Sequence, residues 1–199
     1  LTRSRGLGDV YKRQDEDNLS DLKDKVISEN LDFGVAFDGD ADRSVFIDDK
    51  GNLISGSLMT CLISDWLFEK KSEIKIVHNV NVQPSVVKYL NNKGIKTIRS
   101  KVGHSYIKKI MRDEDADFGG EHSAHFYLRE NFYADSGILT LLIFLKILSE
   151  KNVKSSELVE NYDFFPSSGE INYMVDDVEI SLKKIENSFG GQFDKLDGI

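Results

Sequence analysis

The chain has 199 residues, 40% of them hydrophobic, which suffices to bury a real core in one or two domains. Charged residues make up 30% and the formal net charge is −8, so neither nucleic acid nor a membrane surface is the expected partner. The single cysteine, Cys61, cannot form an internal disulfide and favours a reducing, cytoplasmic setting. No secretory signal is visible, and the most apolar run, Ile138–Leu148, is too short to span a bilayer and contains Lys146. Without an initiator Met, and with an abrupt stop at Leu196–Ile199, the sequence reads as a fragment.

Residues 1–14 carry four basic side chains against Asp9 and show no amphipathic period. Gly6-Leu7-Gly8 fails as a phosphate loop, because no strand precedes it and Tyr11 holds the third glycine position. We take 1–14 as a terminus foreign to the fold. From Asp15 the pattern is regular. Asn18 or Ser20 can cap a helix with the apolar face Leu19, Leu22, Val26 and Ile27. The strand Phe33–Phe37 then leads into Asp38-Gly39-Asp40-Ala41-Asp42-Arg43, and a hairpin follows with Gly51 in its turn.

A second unit opens with a helix from Ser57 to Lys70, a strand at Ile74–Val77 and a helix starting at Pro84, where the missing N–H costs nothing. A strand Lys96–Val102, a short helix from Ser105, an edge around Phe118 and a long helix Ser136–Glu150 complete it. Alternating strands and helices of these lengths predict an α/β fold. Pro166-Ser167-Ser168-Gly169 marks a boundary, followed by a strand Ile171–Val175 and a helix Val178–Phe189.

Three segments carry candidate chemistry. In extended chain, Asp38, Asp40 and Asp42 would point the same way. Two bare charges ~5 Å apart repel by about 3 kcal/mol at an effective dielectric near 20, so a cation is expected, and all-oxygen ligands suit Mg²⁺. An EF-hand fits poorly, since its sixth and twelfth places hold Arg43 and Asp49. The same aspartates would also suit a phosphatase of the haloacid-dehalogenase type, with one of them as nucleophile, or a solvated acidic turn. The second segment, Lys101-Val102-Gly103-His104-Ser105, joins a strand to a helix, where exposed N–H groups and Lys101 suit an anion; an ordinary connection with a surface histidine would look the same. The third, Gly119-Gly120-Glu121-His122-Ser123-Ala124-His125, could set Glu121, Ser123 and His125 on one face to read a sugar or phosphate. Zinc on His122 and His125, or a polar loop without function, competes with that reading.

Together these residues resemble the α-D-phosphohexomutase superfamily, the phosphomannomutase/phosphoglucomutase enzymes. Asp38–Arg43 is similar to its magnesium loop Asp-Gly-Asp-Gly-Asp-Arg, with Ala41 in place of a glycine. Lys101–Ser105 is similar to its Lys-Thr-Gly-His-Ser segment, and Gly120–His125 to its sugar loop Gly-Glu-x-Ser-Gly-His, with Ala124 again in place of glycine, as in the bacterial phosphomannomutase branch. The resemblance implies mixed-sheet, three-layer α/β domains from a four-domain enzyme: the end of domain 2 at 15–55, domain 3 at 56–166, and the start of domain 4 at 167–199. It implies interconversion of hexose 6-phosphate and hexose 1-phosphate through a bisphosphate, with mannose phosphate the expected sugar. Asp38, Asp40 and Asp42 would hold Mg²⁺ beside a phosphoserine supported by Arg43. Glu121 and Ser123 would bind sugar hydroxyls, and Lys101, Gly103, His104 and His125 would line the cleft, with the histidines open to proton transfer. No stretch resembles the family's phosphoserine loop or its fourth-domain phosphate loop, so the chain alone is expected to show no turnover. From a different functional class, a non-catalytic module that binds Mg²⁺ and a sugar phosphate would account for the same residues.

Overall fold

The structure, a computed structural model, describes residues 19–160, 162, 173–191 and 196. It divides into two units, Leu1–Phe164 and Phe165–Ile199. In the second, the described element is helix α7 (Val178–Ser188), capped by the Asp177 carboxylate, which accepts from Ile180 N–H at 2.9 Å. Tyr173–Val175 are not in a strand, while Ile171 and Asn172, residues 1–14 and the Pro166–Gly169 boundary lie outside the described residues.

The first unit begins with α1 (Ser20–Ser28), which has Leu19 rather than a polar side chain at its N-cap. A three-stranded antiparallel sheet follows: β1 (Phe33–Phe37), β2 (Ser44–Asp48) and β3 (Leu53–Ile54), in that order. Phe37 pairs with Ser44, so Asp38–Arg43 is the connection of a hairpin. Every residue of β2 is buried, with Phe46 and Ile47 at its centre.

Helix α2 (Gly56–Lys71) starts where Ser55 Oγ accepts from Leu58 N–H at 3.2 Å and stops at left-handed Ser72. Next come β4 (Lys75–Asn79), α3 (Pro84–Asn92), β5 (Lys96–Ser100), α4 (His104–Glu114), β6 (Phe118–Gly120), β7 (Phe126–Leu128) and β8 (Ala134–Asp135). The strand expected to reach Val102 therefore ends at Ser100, and the helix starts one residue before Ser105. Helix α5 (Gly137–Lys151), capped by Ser136 Oγ on Leu139 N–H, and α6 (Ser155–Glu160) close the unit.

The five strands β4 to β8 form one mixed sheet in the order β5-β4-β6-β7-β8. β4 pairs in parallel with β5 and β6, while β6-β7 and β7-β8 are antiparallel. Alternate side chains divide between its two faces. Ile76, Phe118, Phe126 and Leu128 join the main core with α2, α3 and α5, whereas Val77 and Tyr127 pack with Ile107 and Met111 of α4. This is a three-layer α/β/α arrangement. The main core also runs without a break into the small sheet, where the Phe144 ring lies 4.8 Å from Phe46 and 5.2 Å from Phe33, centroid to centroid. Parallel pairing has a functional consequence: β4, β5 and β6 end at Asn79, Ser100 and Gly120 on one edge of the sheet. Ligands in open α/β sheets bind beyond such carboxyl ends.

Candidate active site

The three aspartates converge, though not by the alternation of an extended strand. Ala41 N–H donates to Asp38 O at 3.3 Å and Ala41 adopts φ 58°, so the chain turns back on itself. One oxygen from each of Asp38, Asp40 and Asp42 then lies within 4.8 Å of the others. Asp38 is engaged by its own loop: Arg43 Nε donates to Oδ2 at 2.7 Å and Arg43 N–H to Oδ1 at 3.2 Å. Burial raises the Asp38 carboxyl, but hydrogen bonds from Asp42 and Arg43 outweigh it and hold the group below the usual carboxylate range. Asp42 goes the other way, pushed up to about 6 by burial and by Asp38 and Asp40, with His125 opposing. Its Oδ1 is buried and has no hydrogen-bond partner, and the Arg43 Nε nearby is 3.6 Å away. An orphaned carboxylate oxygen among three converging acids is what a hard cation would satisfy, so the donor set fits Mg²⁺.

The second group lies where β6 turns into β7. Glu121, Ser123 and His125 do not share an extended face. Ala124 N–H donates to Glu121 O at 3.2 Å, Glu121 N–H donates to His125 O at 3.0 Å, and Ala124 has φ 67°. Glu121 is only 3% exposed, and its carboxylate is held from two sides. Asn79 Nδ2 donates to Oε2 at 2.8 Å and the Tyr127 hydroxyl to Oε1 at 2.5 Å. Burial and the Glu121 charge push the Tyr127 hydroxyl far up, so it stays a donor. Ser123 and His122 are half-buried on the turn. Gly56 lets the turn rest on the start of α2, since a Cβ there would stand 2.3 Å from His122 O and 2.5 Å from Glu121 O.

The two groups meet. Arg43 and His125 form an antiparallel bridge, and Asp42, His125 and Asp135 bring ligand atoms within 4.8 Å of one another. His125 Nδ1 sits 3.1 Å from Asp135 Oδ2, and Lys108 Nζ of α4 donates to Asp135 Oδ1 at 2.7 Å. These partners hold the Asp135 carboxyl well below its ordinary range despite its burial. Gly137 N–H donates to Ala41 O at 3.0 Å, tying the first turn of α5 to the aspartate loop.

Lys101 and His104 stand apart from this junction. Both are exposed, and among the described residues neither side chain makes a hydrogen bond or ion pair with the aspartates or Glu121. Lys101 Nζ lies 5.9 Å from the Tyr106 ring centroid, and Gly103 takes φ 124°, a conformation suited to glycine, at the N-cap of α4. Sequence reasoning missed Asn79, Lys108, Tyr127 and Asp135. Asn79, Tyr127 and Asp135 sit on strands of two to five residues, which leave no period to read, and Lys108 on α4 reaches Asp135 only through the tertiary fold.

The family model of phosphoglucomutase/phosphomannomutase alpha/beta/alpha domain III matches residues 55–165, more than half of the chain. The chain is 38% identical over 182 residues to a phosphomannomutase of Methanocaldococcus jannaschii, covering 91% of this chain and 40% of that protein. It is 37% identical over 179 residues to a protein of Xanthomonas campestris named phosphohexose mutases, covering 89% and 40%. The chain thus spans about two-fifths of the length of these relatives. Among solved structures, a phosphoglucomutase/phosphomannomutase family protein from Burkholderia thailandensis superposes with TM-score 0.68 at 25% identity, over 76% of this chain and 32% of that one.

Proposed function

The chain belongs to the phosphoglucomutase/phosphomannomutase family, and from that membership we propose that it supplies the metal and sugar-reading walls of a hexose-phosphate mutase. The reaction is reversible movement of a phosphoryl group between the 6- and 1-hydroxyls of a hexose, mannose in the first instance, by way of a bisphosphate. In this reading residues 15–55 end a second domain, 56–166 form a third and 167–199 open a fourth. One observation carries the proposal: the Arg43–His125 bridge seats the acidic loop against the Glu121 turn, although 82 residues separate them in the chain.

Asp38, Asp40 and Asp42 would hold Mg²⁺, and Arg43 keeps the Asp38 carboxylate turned into the loop. Bound Mg²⁺ supplies positive charge next to a transferring phosphoryl group, whose transfer depends on charge stabilisation and positioning. Each Glu121 oxygen spends one acceptor site on Tyr127 or Asn79 and keeps another for a sugar hydroxyl. Ser123 offers a hydroxyl from the same turn. With Nδ1 directed at Asp135, His125 exchanges protons through Nε2. Lys101, Gly103 and His104, at the carboxyl end of β5, form an outer rim for a phosphate.

The test is a titration of the chain by Mg²⁺ and then by mannose 6-phosphate, followed in amide NMR spectra. Mg²⁺ should shift Asp38–Arg43, and the sugar phosphate should shift Lys101–Ser105 and Glu121–His125. Mannose 6-phosphate that leaves both of these segments unmoved at millimolar concentration would refute the reading. Beryllofluoride captured on Asp38 or Asp40 would refute it in favour of an aspartate-nucleophile phosphatase.

A further inference from the structure

Ser57 lies on the second residue of α2, is fully buried, and touches two segments distant in sequence. Gln83 N–H, just before α3, donates to Ser57 Oγ at 3.1 Å. The same oxygen is 2.9 Å from His122 Nδ1, on the turn between β6 and β7. A serine hydroxyl has one proton to donate, and Gln83 already uses one of its acceptor sites. If His122 carried its proton on Nδ1, that hydroxyl proton would be left without an acceptor in a site closed to water. Leaving a buried donor unmade is costly enough to bias the two forms by about tenfold or more.

We propose that Ser57 is a positioning residue for the sugar-reading turn: its hydroxyl donates to His122 Nδ1 and so holds the neutral ring with its proton on Nε2. The α2 N-terminus thereby determines which edge of His122 is the donor, and Gln83 fixes the hydroxyl that does so. Gly56 belongs to the same device, because only a residue without a Cβ brings Ser57 this close beneath the His122 carbonyl. Asn79 and Tyr127 fix the neighbouring Glu121 carboxylate, so the turn is clamped at successive side chains. The value of this device to sugar recognition rests on the function proposed above, whereas the proton assignment rests on geometry alone.

The test is long-range nitrogen–proton correlation of the histidine rings in the whole chain at about pH 8, above the ordinary histidine range. His122 should show an unprotonated Nδ1 and a protonated Nε2, with the opposite form at about a tenth or less. Ser57→Ala should bring the second form up severalfold, and Ser57→Thr, which restores the hydroxyl, should bring it back down. A ring protonated on Nδ1 in the wild type, or an even mixture, overturns the proposal. So does an unchanged ring in a folded Ser57→Ala chain. Should that variant not fold, the wild-type spectrum decides by itself. The expected ring state together with no response to mannose 6-phosphate counts against the proposed function and leaves the assignment of Ser57 standing.

Discussion

Two alanines occupy left-handed backbone, and a comparison of their replacement by glycine makes a sharp test of the loop geometry. Ala41 has φ 58° in the aspartate loop and Ala124 has φ 67° in the Glu121–His125 turn. Left-handed backbone costs an L-residue roughly 1–2 kcal/mol, which glycine avoids. Glycine in turn loses about 0.5–1 kcal/mol through the greater freedom of its unfolded chain. At Ala41, which is half-buried, the balance for Ala41→Gly is a gain of about 0.5–1 kcal/mol. Ala124 is 4% exposed and sits in the main core, so Ala124→Gly also forfeits about 0.8 kcal/mol of methyl burial and comes out near zero. The only tryptophan, Trp66, lies on α2, so its fluorescence reports unfolding of the first unit directly. In thermal melts Ala41→Gly should raise the midpoint by about 2 °C and Ala124→Gly should leave it within about 1 °C of wild type. A fall for Ala41→Gly, or a larger rise for Ala124→Gly than for Ala41→Gly, would refute the reasoning.

Three further outcomes follow from the packing. Gly56→Ala drives a methyl into the backbone of the Glu121–His125 turn, and overpacking against an unyielding carbonyl should destabilise the first unit by about 1–3 kcal/mol in urea melts. Cys61 is fully buried, and that burial, with Asp65 nearby, pushes its thiol up; a disulfide reagent should label it only as the chain unfolds, so labelling should track the Trp66 transition. Asp49 accepts from Ser156 N–H at 2.8 Å and from Ser155 Oγ at 3.1 Å, tying the β2–β3 turn to α6. Although burial opposes it, these bonds hold its carboxyl below the ordinary 3.8. The stabilisation they give is therefore complete above the ordinary value and is lost as pH falls through the lowered one. Asp49→Asn should cost about 1–2 kcal/mol at neutral pH and flatten the acid limb of the stability curve.

Much of the architecture could be read from the chain because it rests on local signals. Pro84 opens a helix as its missing N–H suggests, and α2 and α5 fall within one residue of the expected spans Ser57–Lys70 and Ser136–Glu150. The aspartate cluster was legible for an incomplete reason. Its carboxylates were expected to converge along an extended strand, and they converge through a turn with left-handed Ala41. The same assumption failed outright at Glu121–His125, where the chain reverses and buries Glu121. Neither reversal is visible locally, because alanine is a poor marker of positive φ. Asp135 and Tyr127 had no signal at all, since both sit on strands of two or three residues whose place is set by pairing with β6 and β7.

The unbroken core beneath the two sheets has a mechanical meaning. Phe33, Phe46 and Phe144 lock the strands that flank the aspartate loop to the helix that starts beside His125, and Gly137 closes the gap with backbone on backbone. The aspartate loop and the Glu121–His125 turn are thus parts of one block, bridged at Arg43 and His125 and backed by aromatic rings. Anything that touches both segments meets them at a separation the fold has already fixed, not one that it must set itself.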